Sequence, residues 1–338
     1  MKKYLIIFAF AILGLLSSCT HKDLCYNHNV HAHRYHINVI ADYRCVWEER
    51  ISGPDWDLEW PEHYLPYESF LPGKPSGLRV INFGESGQSN IHNVPADGGL
   101  VYLYEGYNDL LFYNNDTEYI IFTREADKAS TRASTRTRTR ASYKGSEFAN
   151  EGEPTVAAPD MLYANYIERH MAEKVLSPSD IDITLQPLVF TYKIRYEFES
   201  GLEYVSTTRG ALSGMAGSVL MNTGVTAADP ATILYDCEMT EYGARAKVMS
   251  FGIPAYPNEN YQPKAGNKHA LNLEVMLKNG NVINYDFDVT DQVSIQPHGG
   301  VIVVKGIVVE KEEGMQGSGA FDVDVNDWGD YEDVPIPL

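Results

Sequence analysis

The chain has 338 residues, with 44% hydrophobic and 12% aromatic side chains, which excludes a disordered polymer and leaves room for more than one core. Its 27 basic and 46 acidic side chains give a net charge of −19, which repels a phosphate backbone and argues against nucleic acid as a partner. The longest apolar run, residues 5–16, is too short to span a bilayer, which needs about 20 residues.

That run follows Met1-Lys2-Lys3, a positive n-region, and ends in Leu16-Ser17-Ser18-Cys19. Position, length and flanks describe a signal peptide over residues 1–18. The Leu-Ser-Ser-Cys string resembles a bacterial lipobox. It predicts cleavage before Cys19, a diacylglycerol on the Cys19 thiol and an acylated Cys19 amine, the two lipid signals that stable anchoring requires. The expected partner is outer-membrane lipid. Loss of Lys2 and Lys3 with the leader takes the net charge to −21.

Residues 19–35 read as a lipidated polar tether. His28, His31, His33 and His36 cluster there beside Cys25, but nothing in a tether fixes ligand geometry, so no metal is expected. Cys25, Cys45 and Cys237 remain, an odd number. Cys25 with Cys45 is the nearest pair, and the sequence leaves their disulfide state open.

From residue 36 the pattern is β. Ile37, Val39, Ala41 and Tyr43 alternate over residues 36–43, and residues 78–83, 100–104, 110–113 and 119–122 are further short strands between turn signals. The most regular strand covers residues 189–198: Phe190, Tyr192, Ile194, Tyr196 and Phe198 face one way, Thr191, Lys193, Arg195 and Glu197 the other. Leu271, Leu273, Val275 and Leu277, then Asn279-Gly280, then Ile283, Tyr285, Phe287 and Val289 predict a hairpin with a type I′ turn. Residues 301–309 form another strand, and Phe321, Val323 and Val325 a last one. Only residues 161–175 and 210–219 invite a helical reading. The sum is an all-β chain of two sandwich domains, residues 36–175 and 176–338.

Residues 124–160 interrupt this pattern. Arg132, Arg136, Arg138 and Arg140 sit among Ser and Thr, ahead of a Gly/Glu/Pro stretch. The expectation is a long exposed loop of the first domain, with two sharper readings: a protease-sensitive site, or a contact with an acidic surface of another molecule.

No catalytic constellation stands out. His-Glu-x-x-His, the phosphate-cradling Gly-x-x-x-x-Gly-Lys and Gly-x-Ser-x-Gly are missing, and Gly210-Ala211-Leu212-Ser213-Gly214 is one residue out of register for the last. No catalytic residues and no cofactor are therefore expected. Asp322-x-Asp324-x-Asn326 has a calcium-loop spacing, but Asp327 stands where the turn wants Gly, so an acidic strand end is expected instead. Trp47, Trp56, Trp60 and Tyr64, in a Pro-rich stretch, are either core or a stacking platform for a glycan. The closing Pro335-Ile336-Pro337-Leu338 is a frayed end or a docking tail.

Four strings, His21-Lys22-Asp23-Leu24-Cys25-Tyr26, Tyr113-Asn114-Asn115-Asp116-Thr117-Glu118, Gly210-Ala211-Leu212-Ser213-Gly214-Met215-Ala216-Gly217 and Phe321-Asp322-Val323-Asp324-Val325-Asn326-Asp327-Trp328, together resemble surface lipoproteins of Bacteroidales type related to the fimbrillins and fimbrial anchor proteins. The Lys22-Asp23 pair resembles their surface-export signal. The resemblance implies tandem transthyretin-like β-sandwiches, a lipid anchor in the cell outer membrane, exposure on the cell surface, and a part in building or anchoring type V-like fimbriae. It also implies other fimbrial subunits as partners, joined by β-strand addition. Polymerising fimbrillins lose an N-terminal strand at an Arg site. Here the arginines lie far beyond the first strand, which points to an uncleaved anchor or accessory subunit.

Overall fold

The computed structural model describes residues 34–46, 71–123, 125, 127–257, 268–315 and 331–334. The expectations at Cys19, Cys25, His28, His31, His33, Trp47, Trp56, Trp60, Tyr64, Asp322 and the closing Pro-rich tail lie outside these residues.

The described chain is all-β. It opens with β1 (Arg34–Tyr43), β2 (Gly77–Gly84), β3 (Ser89–Pro95), β4 (Gly98–Tyr102) and β5 (Gly106–Asn114). Shorter strands follow: β6 (Ile120–Thr123), β7 (Arg132–Thr135), β8 (Arg138–Thr139) and β9 (Thr155–Ala157). Next come β10 (Tyr163–Ala172), β11 (Lys174–Val175) and β12 (Ser179–Pro187). The second half carries β13 (Phe190–Ser200), β14 (Val205–Ala216), β15 (Ser218–Leu220), β16 (Pro230–Asp236), β17 (Glu238–Thr240) and β18 (Gly243–Ser250). It closes with β19 (Ala270–Leu277), β20 (Val282–Asp288), helix α1 (Thr290–Ser294), β21 (Gly300–Val308), helix α2 (Lys311–Met315) and β22 (Glu332–Asp333).

The first sheet runs β11-β1-β12-β10-β5-β2-β3, with β4 on the other side of β1. The β3–β4 connection brings its ends together, so the sheet wraps on itself. Ile37 and Val39 of β1 therefore share one core with Leu78 and Val80 of β2, Val101 of β4, Leu110 and Phe112 of β5, and Ile183 and Leu185 of β12. Gly98, at φ +109°, makes the β1–β4 pairing possible: a Cβ there would lie 1.9 Å from the Val39 carbonyl oxygen. The division expected at residue 175 falls short of β12, which pairs in parallel with β1.

Alternation sends Ile81, Leu111 and Tyr113 to the opposite face of β2 and β5. A three-stranded sheet, β15-β7-β6, covers them through Ile120, Ala133 and Val219, with Val189 and Phe251 completing the cluster.

The second half is a two-layer sandwich. Sheet β17-β18-β13-β21 faces sheet β20-β19-β14-β16-β9. Tyr192, Ile194 and Tyr196 of β13 meet Leu212 of β14, Ile233 of β16 and Leu271, Leu273 and Val275 of β19. The strand at 189–198 and the hairpin at 271–289 thus stand as expected. The turn is different in type. Gly280 alone has positive φ, at +85°, and its N–H bonds the Leu277 carbonyl at 2.9 Å. That is a type I turn closed by a left-handed Gly, not type I′.

Three further expectations are corrected. Residues 161–175 are strand, because a bulge between Ile167 and His170 breaks the alternation that would have revealed it. Residues 210–219 are strand, because β14 lies inside its sheet and buries both faces, so its apolar positions run together. Residues 124–160 are not one exposed loop: β7, β8 and β9 lie within them.

Candidate subunit-contact site

The expected arginine cluster separates on folding. Arg132 lies in β7 and donates to Ser218 Oγ at 2.8 Å. Arg136 links β7 to β8, its N–H on the Tyr119 carbonyl at 3.1 Å. Arg138 and Arg140 converge on one feature, the segment 331–334.

That segment adds as an antiparallel strand to β8, with Glu332 opposite Thr139 and Asp333 opposite Arg138. The Val334 N–H continues the pairing onto the Thr137 carbonyl at 3.1 Å. Arg138 grips Asp333 with two donors, Nε to Oδ1 at 2.7 Å and Nη2 to Oδ2 at 3.2 Å. The Arg138 hydrogen bond lowers the Asp333 pKa, and the same bond raises that of Arg138.

Tyr331 sits among three guanidinium groups, with Arg138 at 4.9 Å, Arg209 at 5.2 Å and Arg140 at 6.0 Å from its ring centre. Its hydroxyl donates to Asp236 Oδ1 at 2.9 Å. Burial first, then the Asp236 charge, raises the pKa of that phenol. Asp236 also faces Arg209 Nε across the β14–β16 ladder at 3.2 Å.

Arg140 is the floor of this cradle. Its Nε lies 3.1 Å from Glu274 Oε2, with 1% and 0% of the two side chains exposed. Nη1 donates to the Gly210 carbonyl at 3.2 Å, and Ser142 Oγ donates to Glu274 Oε2 at 3.0 Å. Of the four arginines, Arg138 pairs with an acidic strand of its own chain and Arg140 lies against Tyr331 of the same segment. An extended acidic segment with one aromatic side chain is what the edge of β8 is built to hold.

Tyr331, Arg209, Asp236 and Glu274 carry no local pattern that marks them as site residues. Two corresponding expectations are placed elsewhere: His36 lies in β1, 6% exposed with its ring 6.2 Å from Tyr102, and Cys45 and Cys237 carry free thiols. Burial pushes the Cys237 thiol up to about 12.

A cavity of about 570 Å³ lies beside the β10 bulge. Arg169, at φ +55°, sends its N–H to Asp109 Oδ1 at 2.8 Å and its guanidinium over the Tyr107 ring at 4.2 Å. Lys128 pairs with the same Asp109, and Glu85, Asp127 and Glu168 also line the cavity, so carboxylates outnumber cations there. Among the described residues no group of three or more His, Cys, Asp or Glu has metal-holding geometry, and no helix is long and apolar enough to cross a membrane.

Residues 69–236 match a family model described as Domain of unknown function (DUF5119). A crystal structure of a candidate adhesin from Bacteroides ovatus covers 88% of this chain and 95% of its own, at TM-score 0.57 and 18% identity. The two proteins share a fold. The fimbrial anchor protein Mfa2 from Porphyromonas gingivalis is similar over 80% of this chain and 90% of its own, at TM-score 0.43 and 12% identity. A second candidate adhesin from Bacteroides ovatus is similar over 82% and 89%, at TM-score 0.45 and 10% identity. No curated protein matches.

Proposed function

We propose that this chain is a non-catalytic surface lipoprotein, held in the outer membrane through Cys19, that serves as an anchor or accessory subunit of fimbriae and meets other subunits by β-strand addition. The observation that carries the reading is the β8–β22 pairing. An edge of the molecule takes up a short extended segment of its own chain by main-chain hydrogen bonds, with the two-donor fork of Arg138 setting its register. The fold shared with the candidate adhesin agrees with it. Two domains belong to the same reading, with the boundary proposed past β12 in place of residue 175. The side-chain bonds of Arg132, Arg138 and Arg140, and the burial of Arg140, favour a chain that is not cut at Arg132–Arg140 and that keeps its lipid.

Deletion of the gene in a fimbriated strain tests this. Fimbriae should be shed or altered in length, and Cys19→Ala should release the protein from the membrane fraction. Fimbriae unchanged in number, length and attachment contradict the reading.

A further inference from the structure

The sheet β17-β18-β13-β21 ends at β21, and no strand among the described residues pairs with its outer edge. Its parallel partner β13 takes up one side of the ladder. Over residues 300–304 the groups facing the other way belong to Val301 and Val303, and those four groups are satisfied by two side chains. Val303 N–H donates to Gln292 Oε1 at 2.9 Å, and Gln292 Nε2 donates to the Val303 carbonyl at 3.0 Å. Val301 N–H donates to Gln296 Oε1 at 2.8 Å, and Gln296 Nε2 donates to the Val301 carbonyl at 2.9 Å.

A primary amide has the donor and acceptor of a peptide group, so each Gln reproduces the two-bond exchange of an antiparallel residue pair. The spacing fits as well. Four helical residues rise about 6 Å, and two strand residues about 6.6 Å. Gln292 pairs with the later residue and Gln296 with the earlier, the order an antiparallel strand would have.

The arrangement is held from several sides. Val293, between the two amides, is 0% exposed in the sandwich core. The Tyr192 hydroxyl bonds the Gln296 carbonyl at 2.8 Å. Gly300 leaves the room needed, since a Cβ there would lie 1.9 Å from Gln296 Oε1.

The covered edge is hazardous when bare. Val301-Ile302-Val303-Val304 is β-branched and uncharged, the composition that templates pairing with a like segment, and the first charge comes only at Lys305. We propose that Gln292 and Gln296 stand in for a missing strand on the outer edge of β21 and so keep β21 from pairing with β21 of a second copy. This does not depend on the fimbrial reading and concerns a different edge from β8.

The test uses the secreted chain carrying Cys19→Ala, so that lipid does not drive association. Gln292→Met with Gln296→Met keeps side-chain volume and helix propensity while removing both amides. Mass is followed by sedimentation equilibrium over a hundredfold concentration range, with amide exchange read at Val301 and Val303. The parent should hold one mass throughout, with both amides protected. The double variant should exchange both amides at least tenfold faster when dilute, then double its mass and regain protection when concentrated. Adding Val303→Pro should restore the parent mass, because the lost N–H points away from β13. If the double variant does not fold, Gln292→Met alone is read the same way. A folded variant whose mass never departs from the parent's overturns the proposal, as does association that leaves Val301 and Val303 unprotected.

Discussion

Arg140 and Glu274 face each other at 3.1 Å with both side chains closed off from solvent, and the ring of Tyr331 lies 6.0 Å above the same guanidinium. The pair joins the segment after β8 to the middle of β19, and its burial makes it sensitive to loss of one member. Glu274→Leu leaves a guanidinium buried without its counter-charge and should cost about 3–5 kcal/mol. Arg140→Met combined with Glu274→Leu should recover most of that loss. Urea unfolding of the three proteins checks both statements.

The β22 contact should depend on pH in one direction. Arg138 lowers the pKa of Asp333 when the strand is docked, so the stabilisation is present above the ordinary aspartate range and is lost as pH falls through the lowered value. Asp333 is about one-third exposed, so the pair is worth no more than the roughly 0.2–1 kcal/mol of a solvated ion pair. The protection of the Val334 amide, taken relative to its intrinsic exchange rate at each pH, should fall as pH drops below about 4, and Arg138→Ala should remove that dependence.

How much of this was legible is clear from two contrasts. Tyr192, Ile194 and Tyr196 repeat with the period of a strand, and the partner of Leu271 is only 16 residues away at Phe287, so β13 and the β19–β20 hairpin show in local pattern. Arg138 pairs with Asp333 across 195 positions, and Arg132 with Ser218 across 86. β7 and β8 are four and two residues long, too short for a period to register, and rich in residues that favour turns. Their strand character comes from distant partners, which no local window contains. The all-β class was therefore readable. The arginines were readable as a cluster but not as a clamp, because the acidic strand they hold lies at the far end of the chain.

His269 supplies a second pH dependence. It is 2% exposed, and burial drives its pKa down to about 4, against the opposing charges of Glu153 and Asp288. A buried neutral imidazole is protonated more readily in the unfolded chain, so stability should fall as pH drops from about 6.5 towards 4, by up to about 3 kcal/mol. His269→Gln should flatten stability over that window in urea titrations at pH 7 and pH 5.

Thiol chemistry should report the burial of Cys237. Burial holds Cys237 as the neutral thiol at any physiological pH, so iodoacetamide should leave it unmodified in the folded protein and modify it once urea unfolds the sandwich. Peptide mass mapping before and after unfolding reads this directly.

The central proposal is that on assembly β8 gives up β22 and receives a strand from another fimbrial subunit in its place. A photo-reactive side chain at position 139, opposite Glu332 in β22, tests it on fimbriated cells. The account predicts a covalent adduct joining this chain to a second fimbrial subunit. Adducts confined to the chain's own segment around Glu332, on cells whose fimbriae are intact, would contradict it.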